Sequence, residues 1–232
     1  MNTLFLTLFR PVKAFNLLKA EQFSAINFVL VLTLMMVNLI LLIPVSEKIL
    51  QITVSTMSMP QNQVDTMLQV AHKMRYLQIA GSGILYLVMF FFYALILYLI
   101  VLITREKLNY KKALQLLITC FLIIPIGDLI NTVFVYMRGV DNITHLYDMY
   151  LTGLNLLISF EQIGTIEYVF LSYINPFQLW FAVLLSIGLK IFTEMKMTKA
   201  LMIGVVFWLI TVLFPVLSVF LSQTAVGSSG LK

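Results

Sequence analysis

Five stretches of the chain are apolar over bilayer-compatible lengths, at about residues 24–44, 77–103, 113–137, 173–192 and 200–221. A helix needs roughly 20 such residues to cross the hydrocarbon core. The pattern therefore predicts an all-α, polytopic membrane protein with five transmembrane helices. Residues 1–23 read differently. Phe5, Leu8, Phe9, Val12 and Phe15 recur at helical spacing, while Arg10, Lys13, Asn16 and Lys19 fall toward the other side. That is the pattern of an amphipathic helix lying in the cytoplasmic interface, with Phe5, Phe9 and Phe15 in the acyl boundary and Arg10, Lys13 and Lys19 near anionic headgroups. Pro11 must start this helix or kink it. No basic region precedes the apolar part, so the segment does not read as a secretory signal.

The connections are polar. Residues 45–76 contain Pro60, after which Val64, Met67, Leu68 and Ala71 predict a short amphipathic helix leading into the second span. Residues 138–172 hold two apolar runs too short to cross, which are expected in the outer interface or against the bundle. Asn175-Pro176 signals the start of the fourth span, and Tyr173 and Trp180 suit an aromatic belt. Pro215 predicts a kink in the fifth span, and residues 222–232 read as a flexible tail.

The third span differs from the others in carrying Pro125, Gly127, Asp128 and Asn131 in its second half. A carboxylate in hydrocarbon costs several kcal/mol unless it is neutralised, partnered or hydrated. The rest of the bundle is thus expected to pack around this helix, with Pro125, Asp128 and Asn131 as a candidate intramembrane polar site. Pro125 removes a backbone donor and should free a carbonyl just before Asp128; Asn131, one turn on, can hydrogen-bond to Asp128. A structural polar knot is favoured over a proton or ion site. Asn27 and Asn38 of the first span are expected to hydrogen-bond between helices. Gly81-Ser82-Gly83 should permit close approach of a neighbouring helix.

Composition narrows the classes. Sixty-one per cent hydrophobic and 11% charged residues belong to a membrane protein. The single cysteine, Cys120, excludes a disulfide framework and a thiolate metal cluster. A net charge of +5 could point to nucleic acid, but the basic residues sit in short clusters beside the spans, which is a topology signal. With the amino end inside, the inner segments 1–23, 104–112 and 190–199 hold ten Lys/Arg and the outer ones five. The positive-inside rule then gives N-in, C-out. Six of the ten acids lie outside. Asp141, His145 and Asp148 could be imagined as metal ligands, but a hydrated loop is the better reading, and no metal or cofactor is expected. No G-x-x-x-x-G-K-[ST] or H-E-x-x-H occurs, and Ser82 and Cys120 have no histidine within a span to act as base.

Arg10-Pro11 with Phe15 and Leu18, Tyr110-Lys111-Lys112 leading to Ile124-Pro125 and Asn131, and Phe177…Trp180…Leu184…Ile187-Gly188-Leu189 followed by Lys196 and Lys199-Ala200 resemble the Yip family. This is the Rab-GTPase-interacting-protein superfamily, here in its bacterial branch. The resemblance implies a five-helix integral membrane protein with a cytoplasmic amino end and no established enzymatic activity. Eukaryotic relatives carry a longer amino-terminal region that engages GTPases, whereas about 23 residues precede the first span here. Some bacterial relatives act beside an ABC-type exporter that protects against antimicrobial peptides.

Two functions follow as expectations. The first is a non-catalytic accessory or scaffold subunit of the bacterial plasma membrane, in contact with lipid and with a partner such as an ABC-type permease. The second is a small transporter or channel using Asp128, for which homo-oligomerisation could build a ring of carboxylates.

Overall fold

A computed structural model describes residues 3–20, 25–56, 61–143, 152–158 and 165–229. Among these residues there is no strand. The helices are α1 (Thr3–Phe9), α2 (Pro11–Ala20), α3 (Ala25–Leu41), α4 (Ile43–Thr56), α5 (Gln61–Ile103), α6 (Tyr110–Phe121), α7 (Ile123–Arg138), α8 (Ile166–Ser172), α9 (Pro176–Thr193) and α10 (Met197–Ser229). Four spans are long and apolar enough to cross a membrane, Leu77–Ile103, Tyr110–Arg138, Pro176–Thr193 and Met197–Leu221. A fifth arises if Ile26–Leu41 and Ile43–Ile52, bent by 42°, count as one. The protein is all-α and polytopic.

The third span lies at the centre. Every residue from Ala113 to Cys120 is buried, polar Gln115 and Thr119 included, because α5, α3, α9 and the amino-terminal helices surround α6. Asn109 opens α6 by accepting a hydrogen bond from the Lys111 N–H at 2.9 Å. Phe121 closes it in an aromatic layer, with ring centroids 5.2 Å from Phe90 and 5.0 Å from Phe181. Phe207 lies 6.3 Å beyond Phe181. These spacings suit edge-to-face packing.

The span breaks at Leu122, between α6 and α7, and not beside the acid. Pro125 has no N–H to give the carbonyl four residues back, which belongs to Phe121. The unsatisfied acceptor is therefore seven residues before Asp128, and Leu122 keeps helical angles (φ −54°, ψ −33°). Pro215 breaks nothing: α10 runs through it to Ser229, so helix stands where a tail was expected from residue 222. Hydrogen bonds from neighbouring hydroxyls accompany the proline, Thr211 Oγ1 to the Trp208 carbonyl and Ser218 Oγ to the Pro215 carbonyl, each at 2.7 Å.

Small residues set the closest helix approach, at positions other than Gly81-Ser82-Gly83. Gly81 has open space around it, and Gly83 meets only the Met36 thioether, 3.6 Å from where a Cβ would be. The intimate contact is between α9 and α10, where Gly204 sits against Ser186 and the Ala182 carbonyl. In lipid, where apolar burial drives little, such backbone proximity supplies dispersion contacts between helices. Asn175 caps α9 by accepting from the Phe177 and Gln178 N–H groups at 3.1 and 2.9 Å, with Pro176 in the first turn.

The amino end is two helices, not one. The chain breaks at Arg10, since a residue before proline resists helical angles, and Pro11 then starts α2. Ala14, Phe15 and Leu18 are wholly buried. Phe15 packs edge-on to Phe192 at 6.5 Å, and only a glycine at 188 leaves room for it and for Leu116. Phe15 is thus a core residue and not an interfacial anchor. The outward side of this pair of helices carries Phe9 (83% exposed) and Val12, with Arg10 and Lys13 also exposed. The Phe5 side chain lies outside the described residues.

Lys19 ties α2 to the turn after α9 through Glu194 at 2.6 Å, and Lys112 donates to the Lys19 carbonyl at 2.9 Å. Lys199 joins the same end by reaching Glu106 at 2.6 Å and the Thr104 carbonyl at 2.7 Å. The hydrogen bond and charge of Lys19 hold the Glu194 carboxyl below the ordinary glutamate range. A depressed carboxyl pKa adds stability that is present above the unfolded value and lost as pH falls through the folded one. Amide exchange in residues 11–20 is accordingly expected to speed up below about pH 4. Glu194→Gln should remove this acid dependence and change little at pH 7, the pair being exposed.

Candidate functional site

Asp128 lines a polar cavity of about 390 Å³ enclosed by α3, α5, α7, α8 and the start of α9. Asp128 is exposed in the structure and is not packed into a dry helix interface. The walls carry Asn38, Tyr86, Asn131, Thr152 and Gln178. Their arrangement follows from local features. Gly127, directly before the acid, lets the Phe177 ring of α9 come so close that any Cβ would overlap it. Gly153 performs the same service for Thr152, since a Cβ there would lie 2.6 Å from the Ser172 carbonyl oxygen. The Leu154 N–H donates to the Ile174 carbonyl at 3.1 Å, and Asn175 Nδ2 donates to the Ser172 carbonyl at 3.1 Å. These bonds fasten the loop wall to the head of α9.

Asn38 does bond between helices, as its place in an apolar span predicts: it accepts from Thr132 Oγ1 at 2.7 Å. Tyr136 repeats the link one turn on, donating to the Leu41 carbonyl. The bend after Leu41 frees that part of the backbone, and α7 supplies the donor. Asn27, the other polar position of α3, is buried. Thr132→Val is expected to lower stability by about 0.5–1 kcal/mol, the range found for hydrogen bonds between membrane helices. Thermal unfolding in detergent would register it, and Thr132→Ser should fall closer to wild type.

Of the predicted polar trio, Asp128 and Asn131 line the cavity while Pro125 is buried beside it. Tyr86, Thr152 and Gln178 were not anticipated from the sequence. Gln178 had a readable signal, as an amide one turn into a span whose start Asn175-Pro176 marks. Tyr86 is one tyrosine among many in aromatic spans, and Thr152 depends on how a long loop folds back. Among the anchoring residues, Lys19 is committed to Glu194. Asp141 is exposed and lies 3.6 Å from Lys48; His145 and Asp148, considered with it as metal ligands, lie outside the described residues.

Below the cavity the bundle is filled. The layer of Phe90, Phe121, Phe181 and Phe207 with Tyr93 is buried or nearly so, so the space beside Asp128 is one-sided. A polar chamber with one carboxylate and several amides and hydroxyls, beside a packed aromatic layer, can bind a small polar species. Among the described residues no lysine, arginine or histidine lines it.

Comparison with known proteins gives one family. The Yip1 domain matches residues 5–219, nearly the whole chain. No curated protein and no solved structure matches. With a bundle of membrane-length helices built around a central span interrupted at Leu122, and that match over nearly the whole chain, the chain belongs to the Yip1-domain family of membrane proteins.

Proposed function

We propose that this protein is a non-catalytic accessory or scaffold subunit of a bacterial plasma membrane, oriented N-in, C-out, that supports the membrane permease of an ABC-type exporter acting against antimicrobial peptides. The observation that carries the scaffold reading is the length of α5. Its 43 residues, at about 1.5 Å each, make a rod of about 64 Å, against a hydrocarbon thickness of about 30 Å. The amino-terminal part runs past the apolar span that begins at Leu77. There it is braced by α4, with Glu47 paired to Arg75 and 3.7 Å from His72. On the projecting part Met67, Val70 and Met74 are 43–53% exposed, at a spacing that places them on one face. Methionine-rich stripes outside the bilayer fit a protein surface better than water. The basic clusters at the Lys19, Lys112 and Lys199 end favour the cytoplasm for that side.

Photo-crosslinking amino acids at positions 67, 70 and 74 test the reading in intact cells. A permease crosslinked at these positions and absent from a control at Asp65 supports it. A chain that comes out of native membranes alone, with no crosslinked partner at any of the three, defeats it.

A transporter or channel role for Asp128 is the second reading, favoured by the cavity itself. The filled aromatic layer beneath speaks for binding in place of conduction.

A further inference from the structure

We infer that the Asp128 cavity is a binding site for a primary ammonium group. This goes beyond the accessory role and does not depend on it.

Charge points to a cation. Asp128 takes part in no ion pair among the described residues, and the lining supplies no positive side chain. A carboxylate at membrane depth is relieved by protonation, by hydration or by a counter-charge, and a cation entering the cavity supplies the last of these.

Size and lining chemistry select among cations. Calcium demands six to eight oxygen ligands with several carboxylates, and magnesium a tight octahedron; one carboxylate in about 390 Å³ offers neither. That volume would hold about a dozen waters at roughly 30 Å³ each, and it lies in the range of small-molecule pockets. An ammonium has three N–H donors directed apart. Asp128 can take one, and the Gln178 carbonyl and the Tyr86 or Thr152 hydroxyl can take the others. Tyr86 lines the same cavity as Asp128, and its ring, with that of Tyr173, can face the cation.

The ammonium could arrive on a free amine or on an ethanolamine lipid headgroup. Both are testable on the purified full-length chain, with unfolding followed through the single buried thiol, Cys120, which becomes labelled by a maleimide dye only when the core opens. One arm adds propylammonium to protein in nanodiscs of phosphatidylcholine and phosphatidylglycerol. The other replaces the phosphatidylcholine with phosphatidylethanolamine and adds no amine. Sodium chloride and tetramethylammonium at equal ionic strength are controls. A rise in the unfolding midpoint in either arm, absent with the controls and abolished in Asp128→Asn, supports the site and says which source fills it. Tyr86→Phe and Gln178→Ala should each weaken the propylammonium response about tenfold, so the test survives if Asp128→Asn folds poorly. Equal shifts with sodium or tetramethylammonium would overturn the assignment, as would a full response in Asp128→Asn or no shift in both arms.

Discussion

Gly204→Leu is expected to destabilise the protein by at least about 3 kcal/mol, the upper part of the range for overpacking a close contact. The first added carbon already overlaps Ser186 Oγ and would lie 2.9 Å from the Ala182 carbonyl oxygen. Ser186 cannot swing aside freely, because its hydroxyl donates to that same carbonyl at 2.7 Å and is fully buried. The remaining outcome is separation of α9 from α10 along the closest interface in the bundle, with loss of packing that lipid does not replace. At roughly 2–4 °C per kcal/mol for a chain of this size, Cys120 labelling should begin about 6–12 °C lower. Gly81→Leu is the matched control: nothing lies within 4 Å of the position, so the midpoint should stay within a degree or two of wild type. A small effect at Gly204 and a large one at Gly81 would reverse the assignment of the intimate interface.

Phe15→Ala should release the amino-terminal helices without unfolding the bundle. Phe15 is wholly buried under Gly188 and against Phe192, and emptying such a site costs about 3–5 kcal/mol. Few other groups hold α2: Ala14 and Leu18, the Lys19–Glu194 pair and the donors on the carbonyls of Leu18 and Lys19. A loss of about 3 kcal/mol in local opening free energy corresponds to roughly a hundredfold faster tryptic cleavage at Lys13 and Lys19. Phe9→Ala, at an exposed position, should leave the cleavage rate nearly unchanged. If the two variants behaved alike, α2 would be held by lipid and not by protein.

These two residues show what the sequence could and could not disclose. An apolar run of bilayer length reports a span whatever lies beside it, which is why the all-α membrane architecture and the odd character of the third span were legible. Side identity was not. Phe5, Phe9 and Phe15 all sit on the apolar side of one idealised helix, and nothing local distinguishes a ring destined for lipid from one destined for Gly188. The break at Arg10 then turns Phe9 away from Phe15. Glycines misled for the same reason: Gly81 and Gly83 look like a packing motif, while Gly204 needs Ala182 and Ser186, small residues one turn apart on another helix, to have meaning. In the cavity Asp128 and Asn131 were visible as polar residues in an apolar span, and Asn38 as a bond former. Thr152 and Ser172 join them only through a long connection folding back on α9, a matter of tertiary contact. The freed carbonyl was expected too near the acid because the effect of a proline falls on the carbonyl four residues earlier.

The enclosure of α6 also bears on how the protein is made. Gln115 and Thr119 are buried by neighbours synthesised both earlier and later, α3 and α5 on one side, α9 on the other. When the third span first leaves the insertion machinery its later cover does not exist, so those polar groups and Asp128 face lipid or a chaperoning surface until the carboxyl-terminal third of the chain arrives. A nascent chain halted before Pro176 would hold a half-wrapped polar helix in the bilayer, a natural target for membrane quality control.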